Sequence, residues 1–288
     1  MRAYRSLVMG MALASLWIVG VACWQIDGKV GDMSHDTHDE DQQPSISRAP
    51  GGGAESGSGE GKKDERPSGQ PAAEDGAMAE ARRQMVERQL AARDVTDERV
   101  LDAMRKVPRH LFVPENMRSQ AHADGPLPIG HGQTISQPYI VGLMTQLARP
   151  EKTDVALDVG TGSGYQAAVL SLLCKEVYSI EIVEPLAETA RERLNTLGHE
   201  NVTVKHGNGY RGWPEKSPFD VIIVAAAPER IPQPLIDQLK PGGRLVIPVG
   251  DRFQNLTLVE KELDGSVSKR KVAPVAFVPM TGEVGEDD

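Results

Sequence analysis

From residue 78 onward, apolar positions follow two different periods. Met85, Leu90, Val100, Leu101, Met104 and Val107 recur at helical spacing through "ARRQMVERQLAARDVTDERVLDAMRKVPRHLFVPE", because residues three and four apart share one face of a helix. Two short helices are predicted here, with Thr96 as an N-cap and Pro108 as a stop. A Pro/Gly-rich stretch, "DGPLPIGHGQTISQPY", leads to a further helix over 140–147. Strand-like and helical patterns then alternate: "VALDVG", a helix from Tyr165, "EVYSIEI", a helix over 185–197, "VTVKHGN", "FDVIIVAAA", the helical "PQPLIDQLK" and "GRLVIPVG". Pro241, Gly242 and Gly243 read as a turn feeding that last strand. "QNLTLVEKE" and "SKRKVAPVAFVPM" form an antiparallel pair around a turn at Asp264-Gly265. The pattern predicts an α/β fold: an open, mostly parallel sheet with helices on both faces, antiparallel strands at the C-terminal end and a small N-terminal helical extension.

Ahead of this region the pattern changes twice. Residues 1–24 place Arg2 and Arg5 before an apolar run over 7–23, the layout of a secretory signal. Gly20 and Ala22 precede Cys23 as signal peptidase prefers, and a cysteine there also resembles a lipoprotein signal, although Gly20 stands where such a signal usually has Leu. An uncleaved anchor is the alternative, the run being at the short end of the roughly 17–25 residues that span a bilayer. Export to the periplasm or a membrane-anchored envelope location is expected, with membrane association only through this leader. A start of translation at Met78 or Met85 would instead give a cytoplasmic form. Residues 25–77 are rich in Gly, Ser, Asp, Glu and Pro, too poor in apolar surface to offset ordering entropy, and read as a disordered linker. His35 and His38 fall in that tract and are read as solvated residues, so no metal is expected. The folded domain spans 78–288.

Composition narrows the function. The 288 residues carry a formal charge of −9, with 39% hydrophobic and 25% charged residues, which excludes the basic footprint that grips nucleic acid without sequence preference. With two cysteines, Cys23 and Cys174, a disulfide framework is not expected, and Cys174 reads as a small core residue.

Chemistry concentrates in "VALDVGTGSGYQAAVLSLL". In an open α/β sheet the ligand sits beyond the carboxyl end of a strand, where the chain turns into a helix. Gly160, Gly162 and Gly164 allow that sharp turn and a close backbone approach, and Asp158 ends the strand with a carboxylate facing the crevice. The spacing is G-x-G-x-G, not the dinucleotide G-x-G-x-x-G. Glu181 lies 21 residues beyond Gly160 (181 − 160), near the offset of roughly 20 at which an acid takes ribose hydroxyls. Asn208 in "KHGNGY" is placed to read an adenine edge with an amide.

These residues resemble the glycine loop, ribose acid and adenine-side residue of class I S-adenosylmethionine-dependent methyltransferases, whose fold is Rossmann-like. "MVERQLAARDVTDERVLDAMRKVPRHLFVPE", "PLPIGHGQTISQPYIVGLM", "FDVIIVAAAPERIPQPLIDQLKPGGRLVIPVG" and "VAFVPMTG" extend the match. Together they resemble the protein-L-isoaspartate O-methyltransferase family, from about Met78 to Gly282. The resemblance implies methyl transfer from S-adenosylmethionine to the free α-carboxylate of L-isoaspartyl residues in damaged peptides and proteins, D-aspartyl activity being left open, and repair through a succinimide. It implies cofactor contacts from Asp158, Gly160, Thr161, Gly162, Ser163, Gly164, Glu181, Asn208 and Gly209, and a monomer acting on isoaspartyl-containing peptides and proteins. Family members usually carry Asp in place of Asn208, and Arg is common at Ala276.

The nucleophile in such a reaction is a carboxylate, ionised at neutral pH, so no strong base is needed. In "GHGQTISQP", Ser136 and Thr134 offer hydroxyl donors, and the resemblance makes Ser136 the active-site serine. Ser136 as N-cap of the helix at Gln137-Pro138 is an equally open reading, and both can hold at once. His110 and His131 read as structural or surface residues. Two other functions stay open on sequence: methylation of a different substrate, and an exported binding module without turnover.

Overall fold

The computed structural model describes residues 76–282. The leader, and the linker up to residue 75 with His35 and His38, lie outside the described residues.

Helix α1, Gly76–Met85, begins two residues ahead of the expected Met78 and continues as a π-helical turn over Val86–Ala91. Helix α2, Glu98–Lys106, is capped by Asp97, whose carboxylate accepts from the Arg99 N–H at 2.9 Å, and not by Thr96 as the sequence predicts. The Thr96 and Asp97 N–H groups both donate to Gln146 Oε1, at 2.6 and 2.8 Å. That bond holds Thr96 one residue outside the helix. Pro108 follows the end of α2 as expected, and two 3-10 turns, Arg109–Phe112 and Glu115–Gln120, lead on.

The Pro/Gly-rich stretch folds into a hairpin of β1, Leu127–Gly130, and β2, Gln133–Ile135. Its turn has three consecutive residues at positive φ: Gly130 at 94°, His131 at 52° and Gly132 at 71°. Strands of three or four residues joined this tightly carry too little alternation to register as a period of two. Helix α3, Pro138–Ala148, follows with proline in its first turn.

The main sheet alternates with helices as the pattern predicts: β3 Val155–Val159, α4 Tyr165–Ser171, β4 Glu176–Glu181, α5 Glu184–Thr196, β5 Val202–His206, β6 Phe219–Val224, α6 Gln233–Asp237, β7 Leu239–Val249, β8 Gln254–Lys261 and β9 Val267–Val275. The spatial order is β5-β4-β3-β6-β7-β8-β9, parallel through β7 and antiparallel from β7 to β9. Alternate residues of each strand enter two separate cores. Ala156, Val221, Ile223 and Val246 pack under α2 to α5, whereas Leu157, Val159, Ile222, Val224, Leu245 and Ile247 pack with Trp213 and with Leu235 and Ile236 of α6. Burial on both faces explains why these strands read as unbroken apolar runs.

The expected turn at 241–243 lies inside β7, where the register against β6 shifts. A Cβ on Gly243 would stand 2.9 Å from the Lys240 carbonyl and 3.0 Å from that of Asp220, so the irregular strand needs glycine there. Strand β9 stops at Val275, short of the expected Met280. The chain then crosses to the end of β6, where Ala227 donates to the Val278 carbonyl and accepts from the Met280 N–H, each at 2.9 Å.

Candidate active site

The order of strands reverses between β3 and β6, since β4 and β5 extend the sheet one way and β7 to β9 the other. The chain must diverge above that junction, leaving a crevice beyond the strand ends. A cavity opens there, between the loop after β3, Ala225-Ala226 after β6, hairpin strand β2 with Ser136, and the crossing segment over 278–281.

The glycine loop is tied down along its length. Gly160 and Thr161 donate from their N–H groups to the Ile180 carbonyl, at 2.8 and 3.1 Å. The Gly162 N–H donates to Glu181 Oε2 at 2.7 Å, while the other oxygen of that carboxylate accepts from the Val183 N–H at 2.9 Å. Arg193 donates to the Ser163 carbonyl at 2.7 Å from behind, and burial lowers the pKa of its guanidinium. Gly160, Gly162 and Gly164 have φ of 90°, 52° and 89°, a region in which a Cβ is strained.

Seven of the residues singled out from sequence as site candidates on this side and opposite it line the one cavity: Thr134, Ser136, Gly160, Thr161, Gly162, Ser163 and Glu181, with Gly209 as an eighth. Three candidates do not line it. Gly164 is the left-handed residue that opens α4, and its Cβ position is 3.3 Å from Leu194 of α5, so it serves helix packing. Asn208 caps the short turn over Gly209–Arg211, accepting from the Tyr210 N–H at 3.0 Å.

Asp158 is fully buried on the helix side of β3, opposite its register partner Ser179. Ser179 donates to Asp158 Oδ2 at 2.8 Å and meets the Thr161 hydroxyl at 2.6 Å. Asp158 therefore reaches the cavity only through two hydroxyls. Burial pushes its carboxyl up to about 7, the Ser179 bond opposing this and the Glu181 charge adding to it.

Across the cavity the polar groups are arranged differently. Thr134 is exposed on β2 and Ser136 is half-buried just beyond it, and neither hydroxyl hydrogen-bonds to any described residue. Ser136 is not the N-cap of α3. Gln137 holds that position, with no side-chain cap bond. The Ser136 carbonyl accepts from the buried guanidinium of Arg109 at 2.7 Å.

The sequence profile of the protein-L-isoaspartate(D-aspartate) O-methyltransferase (PCMT) family matches residues 80–285, the span that holds every element of this cavity. The chain belongs to the protein-L-isoaspartate O-methyltransferase family. Among its relatives, protein-L-isoaspartate O-methyltransferase 2 of Polaromonas sp. is 61% identical over 189 residues, 65% of this chain and 90% of that one. The protein-L-isoaspartate O-methyltransferase of Opitutus terrae is 57% identical over 214 residues, covering 74% and 91%. A Plasmodium falciparum structure, described as a protein-L-isoaspartate O-methyltransferase in complex with S-adenosyl-L-homocysteine, aligns with a TM-score of 0.61 at 27% identity, over 69% of this chain and 98% of that one. Another protein-L-isoaspartate O-methyltransferase structure aligns with a TM-score of 0.64 at 29% identity, over 72% and 67%.

Several wall residues of this family member escaped the sequence reading. Ala225-Ala226 and the segment over 278–281 join the site through the crossing connection, which no periodicity announces. Tyr165 and Gln166 open α4 and line the same space. Arg109 looked like one more charge in a helical stretch, yet none of its surface is exposed. His110 and His131 do not line the cavity, and Cys174 is buried with its thiol pushed up to about 12 by burial, as befits a core residue. Ala276 is exposed, and nothing in the structure explains that departure. Among the described residues, no group of three or more His, Cys, Asp and Glu side chains could hold a metal, and no helix is long and apolar enough to cross a membrane.

Proposed function

We propose that the chain methylates the free α-carboxylate of L-isoaspartyl residues in peptides and proteins, using S-adenosylmethionine, and so starts their repair through a succinimide. One observation carries this reading: a pinned glycine loop and a buried Glu181 face two uncommitted hydroxyls across one cavity, and Glu181 is the sole charged side chain among the described residues lining it. An ionised carboxylate nucleophile needs donors and alignment, and it needs no base.

The walls fit the cofactor. Glu181 is 5% exposed and offers carboxylate oxygens to the ribose hydroxyls, Gly160 and Gly162 leave room for close main-chain approach, and Gly209 lies at the adenine side. Thr161 and Ser163 complete that wall. A Cβ on Gly209 would stand 2.6 Å from Val159, so nothing larger fits there. S-adenosylmethionine supplies an electrophilic methyl group on a positively charged sulfur. Ser136 and Thr134 donate to the substrate carboxylate and hold it in line. Their contribution is alignment, which in well-oriented systems reaches roughly 7–11 kcal/mol. Asp158 orients Ser179 and Thr161 from beneath and does not itself touch the substrate.

Mass spectrometry of an isoaspartyl peptide incubated with the full-length chain and S-adenosylmethionine tests this. A methyl ester that decays to a succinimide is expected. Cofactor binding without any ester would overturn the proposal. Export by the leader is a separate proposal, tested on the native N-terminus: a chain beginning at Cys23 supports it, and one beginning at Met78 or Met85 overturns it.

A further inference from the structure

Arg109 is among the largest fully buried side chains of the protein. A guanidinium in that position normally faces a carboxylate, because an unpaired buried charge is costly. Among the described residues no acid faces it. Nε donates to the Ala121 carbonyl at 2.8 Å, Nη2 donates to the Ser136 carbonyl at 2.7 Å, and Nη1 has no hydrogen-bond partner among the described residues. The Tyr165 ring lies 4.8 Å below the guanidinium carbon, and Tyr165 itself lines the cavity. The one charge on the cavity wall is the anionic Glu181, and no cation lines that wall among the described residues. The site thus offers an anionic substrate two neutral hydroxyls, with a single uncompensated positive charge one residue layer behind them.

We infer that Arg109 is a positioning residue for the substrate carboxylate: from behind Ser136 it fixes that residue's main chain and supplies the positive potential that the cavity wall itself lacks. This rests on the isoaspartyl reading above. Burial lowers the guanidinium to about 10, Tyr165 opposing the shift, so Arg109 remains charged at neutral pH. Its contact with the Ser136 carbonyl keeps the serine hydroxyl turned to the cavity without consuming it. A charge in a water-poor interior acts over several ångströms with little screening, so its effect reaches the carboxylate without contact. The same charge has no comparable partner on the cofactor wall, where Glu181 and Arg193 already hold the glycine loop.

Full-length Arg109→Lys, Arg109→Gln and Arg109→Met separate charge from hydrogen bonding. Lys keeps the charge, Gln keeps a donor for the Ser136 carbonyl, and Met keeps neither. Initial rates over a range of isoaspartyl peptide, with calorimetric titration of S-adenosylhomocysteine, give KM, kcat and cofactor Kd for each. KM for the peptide should rise on the order of tenfold or more in Gln and Met. Lys should recover most of that loss, and cofactor Kd should stay within about threefold throughout. Equal KM values in Lys and Gln, or losses shared alike by KM, kcat and cofactor Kd, would overturn the inference. If Arg109→Met does not fold, the Lys and Gln pair still decides. Failure of the wild-type chain to methylate the peptide would instead strike the function on which the inference rests.

Discussion

The two walls of the cavity solve opposite problems. The glycine loop is locked: its N–H groups go to Ile180 and Glu181, one carbonyl to Arg193, and three of its residues sit at positive φ. The β2 wall is held by its pairing with β1 and, from behind, by Arg109 on the Ser136 carbonyl, and its hydroxyls have no partners among the described residues. A wall whose main chain is pinned at several points presents one fixed shape, suited to a ligand that is the same in every turnover. A wall with free donors suits a varied peptide that brings only a carboxylate in common.

Breaking each wall should therefore give different symptoms. The largest effect is expected from Glu181→Ala, which removes a buried acceptor of two backbone N–H groups. Losing about 3 kcal/mol of charged hydrogen bonding should raise the calorimetric Kd for S-adenosylhomocysteine on the order of a hundredfold. A Kd within threefold of wild type would contradict the assignment of that wall to the cofactor. Ser136→Ala should lower kcat on isoaspartyl peptide by roughly ten- to a hundredfold and leave cofactor Kd within about twofold. Parallel losses in both would erase the distinction between the walls.

Stability should separate them too. Gly164→Ala combines a φ of 89° with a Cβ 3.3 Å from Leu194, and urea unfolding should show a loss of about 1–3 kcal/mol. Gly132→Ala in the hairpin turn meets nothing within 4 Å and should lose only about 1 kcal/mol, for its φ alone. A larger loss at Gly132 would reverse the comparison.

A further effect is one of pH. Because the Asp158 pKa is raised from 3.8 to about 7 in the folded state, its contribution to stability is fully present below 3.8 and is lost as pH rises through about 7. Asp158→Asn cannot ionise, so its stability relative to wild type should climb across that window, by at most about 1.4 kcal/mol per pH unit, and level off above it. A difference that is flat from about pH 4 to about pH 8 would mean Asp158 is not buried as described.

Much of this was legible in the sequence. Strands β3 and β6 announce themselves because both faces are buried, β5 by its alternation, and the glycine loop and Glu181 stand out by their spacing of 21 residues. The β1–β2 hairpin was hidden because its turn depends on three left-handed residues, one of them a histidine, which no periodicity encodes. Asp158 stands at its strand end, but Ser179 holds the carboxylate that the sequence turns toward the crevice, while Asn208 caps the following turn through the Tyr210 N–H. Arg109 was invisible for a related reason. Its meaning comes from Ser136, 27 residues away in the chain, and local patterns cannot report such a contact.

The most direct test is the transfer of labelled methyl from S-adenosylmethionine by the full-length chain to a synthetic isoaspartyl peptide beside its aspartyl twin. The two peptides differ only in which carboxylate is free and where the main chain runs. Label in the isoaspartyl peptide alone is the predicted result. Equal labelling of both, or of neither while the cofactor binds, would contradict the account.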